Sequence, residues 1–379
     1  MKSITTHKKL AGLRVLVRAD YNISVHKTGA ISPEEATRIE KSLETIRFLK
    51  KEKAKIIIIS HIGRKENESL ESVYNYLSKK IKLRFLRGHI DSTIHDAVAE
   101  MKSGEVVLLE NLRQDSGEVE NKSSFARGLS RLADVFVNDA FAVSHRRHAS
   151  IVGLPKFLPS YTGLLMEREI EELSRVRENP VHPFVVIIGG AKFETKLPLI
   201  KRYIKIADHV FVGGALANNF FKVQGFEVGK SLVDDKKYNL GSLLKNKKLI
   251  VPHDVVVARR NKHINITVED IQKDDMVVDI GQKTIENLQE ILKQSQMVLW
   301  NGPLGLYDKN SSDGTDEVLK FLSKHSKKIH TVVGGGDTLF AIRKNKLEKK
   351  LSFVSTGGGA MLEFLQKGTL PGIEALKKK

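Results

Sequence analysis

The sequence predicts an α/β protein of two domains, each built on a parallel sheet flanked by helices. Short apolar segments alternate with amphipathic helical segments along the chain, which is typical of parallel sheets with right-handed crossovers. The alternation occurs in two series that are separated by a charged helical stretch. A length of 379 residues also fits two domains of ordinary size.

The first series contains apolar runs rich in Val, Ile and Leu, as expected of strands that are buried on both faces. A segment between the first two runs carries Ile39, Leu43, Ile46 and Leu49 at helical spacing, which predicts an amphipathic helix. The predicted strands are Leu13–Val17, Lys55–Ile59, Val106–Leu109 and Asp134–Val137.

The second series begins at Pro183, and its strands follow the same pattern. Leu164–Arg177, charged and helical, lies between the two series and is the predicted linker. The strands predicted here are Phe184–Ile188, His209–Val212, Val255–Val257, Met297–Trp300, Thr331–Val333 and Phe353–Ser355.

Strands of the second series end in glycine-rich loops, at 189–190, 213–214, 302–305, 334–336 and 357–359. A single such loop is explained by a tight strand-to-helix turn. Repetition across one half of the chain favours a phosphate site made of backbone N–H groups and helix N-termini. Lys192 and Lys196, four residues apart, are expected to share a helix face and to reach phosphate oxygens.

Two common nucleotide-binding patterns are absent from the sequence. The segment Gly225–Ser231 is one residue short of a Walker A loop, and it follows an apparent helix instead of a strand. No G-x-G-x-x-G fingerprint occurs, which argues against a dinucleotide dehydrogenase and a protein kinase. Asp337 follows three glycines, and two roles are open to it: capping a helix or holding Mg²⁺ beside nucleotide phosphates.

Strands of the first series run into charged residues instead. A surface ion pair explains each basic residue taken alone. Ligands of open α/β sheets, however, bind at the carboxyl ends of strands. The basic residues taken together therefore predict an anion site there. Neighbouring arginines disfavour a metal on the histidines. Asp20 and Asn22 either bind a substrate hydroxyl or form a turn. The basic set comprises Arg38, His61, Arg64, Arg113, His145, Arg146 and His148.

The composition narrows the classes of function. With 63 basic and 45 acidic residues the net charge is +18, which suits anionic substrates or reflects Lys-rich exposed faces. A nucleic-acid site would need clustered basic residues with interleaved aromatics, whereas aromatics are 6% and the basic residues are scattered.

The absence of cysteine excludes disulfides and thiolate sites. No apolar run or leader pattern points to a membrane, so we expect a cytoplasmic protein.

Taken together, the motifs resemble those of the phosphoglycerate kinase family from about Leu13 to the C-terminus. The resemblance implies a glycolytic enzyme that transfers a phosphoryl group between 1,3-bisphosphoglycerate and Mg-ADP, giving 3-phosphoglycerate and ATP. The segments that carry it are VRADYN, SHIGR, LLENLR, ADVFVNDAF, HRRHAS, GLLMEREI, GGAKFETK, VLWNGPLGLY, VVGGGDT, STGGGAMLEFL and LPGIEAL.

The resemblance also implies the organisation of the chain: two Rossmann-like domains, joined by a helix and hinged around a central cleft. Residues 1–165 with about 367–379 would bind 3-phosphoglycerate, 166–180 would form the connecting helix, and 181–366 would bind the nucleotide. Expected partners are these small molecules and Mg²⁺, with no specific nucleic acid and no membrane. A cytoplasmic monomer is expected.

Matched position by position, the resemblance assigns residues to each ligand. The substrate site would be Asp20, Asn22, Arg38, His61, Arg64, Arg113 and Arg146. The nucleotide site would be Lys192, Lys196, Gly213, Gly214, Asn301, Pro303, Gly305, Asp308, Gly335, Gly336, Asp337 and Thr338, with Asp337 at the metal. The catalytic groups would be Arg38, Lys192, Gly358 and Gly359. The chain departs from the family at Asp308, where Glu is usual, at Thr195, where Asp is frequent, and at Arg147, where a small residue is usual.

This assignment predicts direct in-line transfer on domain closure. Arg38 and Lys192 would neutralise the transferring group, and no general base is needed because the acceptor carboxylate is already ionised. A relative that binds nucleotide without catalysis is the alternative, and the presence of both Arg38 and Lys192 argues against it.

Overall fold

A computed structural model of the chain describes residues 1–25, 30–65, 67–236, 238–260, 262–307 and 313–377. The chain divides into two compact units. Unit 1 comprises Met1–Glu171 together with Lys367–Lys379, and unit 2 comprises Glu172–Gln366.

The described residues contain three sheets. The strands are β1 (Arg14–Arg18), β2 (Lys55–Ile59), β3 (Arg84–Leu86), β4 (Val106–Leu109), β5 (Val135–Asn138), β6 (Ser160–Thr162), β7 (Phe184–Ile188), β8 (His209–Val212), β9 (Leu249–Ile250), β10 (Asp254–Arg259), β11 (Lys262–Thr267), β12 (Met276–Ile280), β13 (Met297–Asn301), β14 (His330–Gly334) and β15 (Phe353–Val354).

The longer helices pack on these sheets, and short helical turns complete the connections. The helices are α1 (Pro33–Lys51), α2 (Glu71–Leu77), α3 (Ser92–Ala99), α4 (Ser116–Val119), α5 (Ser123–Ser130), α6 (Leu164–Glu178), α7 (Phe193–Tyr203), α8 (Ala215–Gln224), α9 (Gly241–Leu244), α10 (Gln282–Gln294), α11 (Asp313–Lys324), α12 (Gly336–Lys344), α13 (Gly359–Lys367) and α14 (Pro371–Lys377).

Unit 1 is built on a six-stranded sheet of order β3-β4-β2-β1-β5-β6, and its pairings are parallel. Helix α1 begins at Pro33 after the cap residue Ser32, whose side chain accepts a hydrogen bond from the Glu35 amide. The predicted stripe from Ile39 to Leu49 is buried in the same apolar cluster as Val15 and Val17 of β1. The apolar face of the helix therefore covers the sheet, as its spacing predicts.

Unit 2 contains a second six-stranded sheet, β15-β14-β13-β7-β8-β9, and a three-stranded sheet, β11-β10-β12. The large sheet is parallel. The two parallel sheets flanked by helices confirm the predicted α/β fold. The placement of Val255–Val257 in the parallel series was wrong, because β10 pairs antiparallel with both of its neighbours. An apolar run indicates a strand, but it does not give the direction of the partner.

Helix α6 carries the chain from unit 1 into unit 2, at the position of the predicted helical linker. Among the described residues, no helix is long and apolar enough to cross a membrane. In unit 1 the chain runs from β1 to β2, and β5 lies on the other side of β1; in unit 2 the chain runs from β7 to β8, and β13 lies on the other side of β7. Such switch points form crevices at the carboxyl ends of strands, where ligands of α/β proteins bind.

Candidate functional site

Arg38 joins the loop after β1 to helix α1. Its Nη1 atom donates to the carbonyl oxygen of Asn22 at 2.8 Å and to Oδ2 of Asp20 at 3.4 Å. The Asn22 side-chain oxygen accepts from the Gly63 amide in the loop after β2 at 3.0 Å. Asp20 also accepts from the Asn22 amide at 3.3 Å, so the turn interpretation of this pair holds as well. The predicted residues Asp20 and Asn22, in the loop after β1, and Arg38, on α1, thus lie together.

His61 lies beside a charged residue that sequence reasoning did not assign. Arg18, the last residue of β1, is fully buried and donates from Nη2 to the His61 Nδ1 atom at 2.8 Å. Burial, reinforced by Arg18 and Arg113, lowers the pKa of His61 far below its ordinary value. The available signal was an Arg directly after the apolar run Val15–Val17 of β1, a position where a buried charge needs partners.

Three predicted arginines of unit 1 lie around one open cavity. Arg113 donates from Nη1 to the Gly63 carbonyl oxygen. Burial and the neighbouring Arg146 and Arg18 lower the pKa of Arg113. Burial, with Arg146 and Arg113, lowers the pKa of His148 to about 4. Arginines crowded together in this way favour an anion and disfavour a metal. The lining residues are Arg64, Arg113, Ser116, Val119, Glu120, Arg146 and His148.

In unit 2 the glycine loops at the switch point interlock through their backbones. The amide of Gly190 donates to Pro303 O at 2.7 Å, and the amide of Gly214 donates to Leu304 O at 2.7 Å. A Cβ atom added at Gly189 would lie 2.1 Å from Pro303 O. These glycines are therefore required by close approach of two main chains, which is the simpler interpretation of such loops.

Other predicted glycines have open space where a side chain would be. A Cβ at Gly336, Gly358 or Gly359 would meet nothing within 4 Å among the described residues. Gly336 and Gly359 are the first residues of α12 and α13. The first N–H groups of a helix have no acceptor within the helix, and together with the helix dipole they suit a phosphate or another oxyanion.

A cavity of about 230 Å³ lies within unit 2. One wall of the cavity is polar and is formed by the strand ends. The other wall is apolar and is formed by the three-stranded sheet and α8. The sequence did not predict the apolar wall. The polar wall includes the predicted residues Gly214, Pro303, Gly305 and Asp337. The apolar wall includes Phe221, Leu232, Val255, Met276 and Val277. Such a division suits a planar base held next to charged phosphates.

The two predicted lysines differ in their surroundings. Lys192 is the exposed cap residue of α7, so it precedes the helix and the expected shared face was wrong. Lys196 is buried in the first half of α7 and donates to the Gly189 carbonyl oxygen. Burial lowers the pKa of Lys196 to about 8, and the nearby Asp337 carboxylate opposes the shift.

Several residues assigned to the nucleotide hold the loops and do not line the cavity. The hydroxyl oxygen of Thr338, fully buried, accepts from the Gly302 amide at 3.0 Å. Asn301 is buried at the end of β13, and Gly213 packs against Leu304. Gly335, with φ 106°, takes a backbone conformation suited to glycine at the cap position of α12. Asp308 lies outside the described residues.

Asp337 is exposed in the first turn of α12 and lines the cavity. The cap residue of that helix is Gly335, so the capping role of Asp337 finds no support. The described residues contain no group of three or more His, Asp or Glu side chains that could hold a metal on its own. A single carboxylate next to a phosphate site is nevertheless what Mg²⁺ uses when substrate phosphates and water supply its other ligands.

Comparisons with known proteins agree with this architecture. The family described as phosphoglycerate kinase matches residues 5–368. Proteins named phosphoglycerate kinase from Orientia tsutsugamushi (strain Ikeda) and Borrelia turicatae (strain 91E135) are 42% and 40% identical, covering 96% and 97% of this chain and 94% and 97% of their own lengths. The solved structure of phosphoglycerate kinase from Coxiella burnetii has a TM-score of 0.86 at 33% identity, covering 99% of this chain and 98% of its own.

A second solved structure, phosphoglycerate kinase from Pyrococcus horikoshii OT3, has a TM-score of 0.85 at 29% identity over 100% of this chain and 98% of its own. Fold, motifs and relatives agree over nearly the whole length. The activity that these relatives imply is an ATP-dependent kinase reaction of glycolysis, with a nucleotide as one substrate. The chain therefore belongs to the phosphoglycerate kinase family.

Proposed function

We propose that unit 1 binds 3-phosphoglycerate or 1,3-bisphosphoglycerate, that unit 2 binds ADP or ATP, and that the phosphoryl group passes directly between them. The observation that carries this proposal is the contrast between the two sheets. One ends in arginines so close together that burial and the neighbouring Arg146 lower the pKa of Arg113, and the other ends in glycine loops beside an apolar cavity. The first suits a small polyanion and the second a nucleotide.

In unit 1, each part of the substrate has a matching set of groups. Arg64, Arg113 and Arg146 line the cavity and would hold the non-transferring phosphate by charge-assisted hydrogen bonds. Asp20 and Asn22 would bind the hydroxyl group. Arg38, held near both by its hydrogen bonds, would face the carboxyl group that gains or loses the phosphoryl group.

In unit 2, the base would occupy the apolar cavity, and the phosphates would lie at the polar edge near Lys196 and the start of α12. Gly213, Asn301 and Thr338 would act by holding the loops in place. Asp308 would contact the ribose, as the family resemblance implies. Asp337 would bind the Mg²⁺ that accompanies the nucleotide, and the metal, when bound, would neutralise phosphate charge.

Transfer toward ATP breaks the bond between the carboxyl oxygen of the acyl phosphate and phosphorus, and an oxygen of the ADP β-phosphate forms the new bond. In the reverse direction the 3-phosphoglycerate carboxylate is the nucleophile, and it needs no general base because it is ionised at neutral pH. Arg38 and Lys192 would neutralise the equatorial oxygens of the transferring group. The exposed amides at Gly358 and Gly359 would add backbone donors.

We further propose that the protein acts in the cytoplasm as a monomer on small molecules, and that its basic excess forms no sequence-specific nucleic-acid site. Any DNA binding would rest on phosphate contacts and would weaken steeply with salt.

A coupled assay with 3-phosphoglycerate, ATP and Mg²⁺ tests the reaction, and binding titrations test the division of ligands. Arg146→Ala should weaken 3-phosphoglycerate binding while ADP affinity stays the same. Arg47→Ala, an exposed position on α1, is the control and should change neither. Equal weakening of both ligands by Arg146→Ala would contradict the division, and no turnover by the folded protein would contradict the proposed function.

A further inference from the structure

A chain of hydrogen bonds in unit 1 leads from a buried carboxylate to His61. Glu118 is fully buried, and its Oε1 accepts from the Ser150 hydroxyl at 2.6 Å. Because that hydroxyl donates its proton to Glu118, its oxygen accepts from Arg18 Nε at 2.9 Å. Arg18 then donates from Nη2 to His61 Nδ1 at 2.8 Å. Glu118, Ser150, Arg18 and His61 are called the histidine relay below.

The direction of each hydrogen bond in the relay is fixed by chemistry. An ionised carboxylate only accepts, and a guanidinium only donates. His61 Nδ1 therefore has to be the unprotonated nitrogen of the ring. A neutral imidazole carries one proton, so the proton is on Nε2.

The Nε2 atom of His61 is buried and has no hydrogen-bond partner among the described residues. An N–H donor in that position is costly unless an acceptor arrives from outside the protein. The groups that act most strongly on His61 from neighbouring elements are Arg18, Arg113, Arg146 and His148, and the last three line the open cavity. The acceptor that suits these surroundings is an oxyanion.

We propose that Arg18 is a positioning residue that holds His61 as the neutral Nε2–H tautomer, so that His61 gives the anionic substrate one directed hydrogen bond and no charge. The inference deepens the proposed function, since the anion is the phosphoglycerate of the unit 1 site. Arg18 acts through His61, and the arginines that line the cavity are Arg64, Arg113 and Arg146. A histidinium here would direct an Nδ1–H at the guanidinium, which offers no acceptor.

The tautomer can be measured directly in the full-length, ligand-free protein. Histidine ring ¹⁵N shifts, with the His61 signals assigned by their loss in His61→Gln, should show protonated Nε2 and unprotonated Nδ1 from pH 8 down to pH 5. Protonation of Nδ1, or of both nitrogens within this range, would overturn the proposal. Addition of 3-phosphoglycerate should move the Nε2–H proton signal.

Two isosteric variants test the directed hydrogen bond. The amide nitrogen of Gln can take the place of Nε2, whereas that of Asn corresponds to Nδ1. His61→Gln should keep KM for 3-phosphoglycerate within about threefold of the wild-type value. His61→Asn should raise KM roughly 10- to 150-fold, the equivalent of one hydrogen bond to a charged group. A similar KM for the two variants would contradict the proposal.

The role of Arg18 is tested by Arg18→Met and Arg18→Lys. With Met, the ¹⁵N shifts should report a mixture of tautomers and KM should rise about tenfold with kcat little changed; Lys, which also only donates, should retain the Nε2–H form. Arg14→Met removes the ion pair with Asp134 at the opposite end of β1 and is the matched control. An unchanged tautomer in a folded Arg18→Met protein would overturn the proposal.

The isosteric variants and the wild-type ¹⁵N shifts decide the question even where Arg18→Met does not fold. The measurements also separate the two proposals. If His61 is the Nε2–H tautomer but its signals do not respond to 3-phosphoglycerate, the relay is retained and the substrate site in unit 1 is rejected. A response to 3-phosphoglycerate with the other tautomer would retain the site and reject the relay.

Discussion

The ammonium group of Lys196 donates to the carbonyl oxygen of Gly189, in the loop that follows β7. This contact holds a buried cation near the Asp337 carboxylate, which lines the cavity of unit 2. Lys196 is thus placed where a nucleotide phosphate could replace the carbonyl as its partner, and its burial makes its charge sensitive to pH.

Nucleotide binding should weaken above about pH 8. Burial lowers the pKa of Lys196 to about 8, so the cation is present below that pH and is lost as the pH rises through it. We expect KM for ADP to increase between pH 7 and pH 9 in the wild-type protein. Lys196→Arg should make KM independent of pH over this range, because Arg stays charged.

Lys201→Arg, an exposed position in the last turn of α7, is the control and should keep the wild-type profile. A flat wild-type profile would show that Lys196 does not contact the nucleotide as a titrating cation.

Arg38→Ala should reduce kcat by roughly 10³–10⁵-fold, the range for arginines that meet a transferring phosphoryl group. ADP affinity should stay the same, since the nucleotide is assigned to unit 2. The unfolding free energy should change by less than about 1 kcal/mol, because the Arg38–Asp20 contact is long at 3.4 Å and Arg38 is partly exposed. Arg38→Lys should restore only part of the rate.

The measurements are kcat, ADP affinity and the denaturation midpoint, with Arg47→Ala on the same helix as control. Near-normal kcat, or a loss of rate matched by a large loss of stability, would contradict a role in the chemical step.

Activity should require a divalent cation, and Asp337→Asn should raise the Mg²⁺ concentration needed for half-maximal rate. The neutral amide keeps the shape of the side chain and removes the charge that attracts the ion. Initial rates are to be measured against free Mg²⁺ at fixed nucleotide, with Glu290→Gln on the exposed face of α10 as control. Equal rates with and without a chelator would remove the metal from the proposal.

Asp139 should make stability depend on pH. Asp139 directly follows β5 and is fully buried, and its Oδ1 accepts from the amide of Met166 in the first turn of α6 at 3.1 Å. Burial raises the pKa of this carboxyl group to about 7. Between about pH 4 and pH 7 the native state holds a proton that the unfolded state has released, so this group's contribution to the unfolding free energy falls as pH rises.

Asp139→Asn should remove that slope, because an amide does not titrate. The test compares urea midpoints of the wild-type and variant proteins at several pH values from 5 to 8. A constant difference between the two proteins across this range would contradict the raised pKa.

The sequence predicted strands with long apolar runs, such as β2 and β7, most readily, because burial on both faces determines their composition. Short strands such as β3 (Arg84–Leu86) and β6 (Ser160–Thr162) lie at the edges of the sheet of unit 1 and carry too little apolar signal. The small antiparallel sheet was missed because an apolar run does not reveal which strand lies beside it.

The sequence predicted those parts of the site whose residue type alone indicates a function, such as the arginines and the glycine loops. Arg18 was missed because its importance lies in a partner, His61, that is 43 positions away in the sequence. Lys192 and Lys196 were expected to share a helix face, yet their environments differ because α7 begins between them. Spacing predicts a shared face only inside a helix.

Because the C-terminal residues belong to unit 1, they determine the order in which the two units can complete their folding. Helix α14 packs on unit 1, where the Gly372 amide donates to Ser144 O at 2.8 Å and an added Cβ at Gly372 would lie 2.9 Å from Ile151. During synthesis on the ribosome, most of unit 1 emerges first. Its fold can be completed only after all of unit 2 has been translated and helix α14 has emerged. Unit 2 is contiguous in sequence, so it is the half that can reach its complete fold as soon as it has emerged.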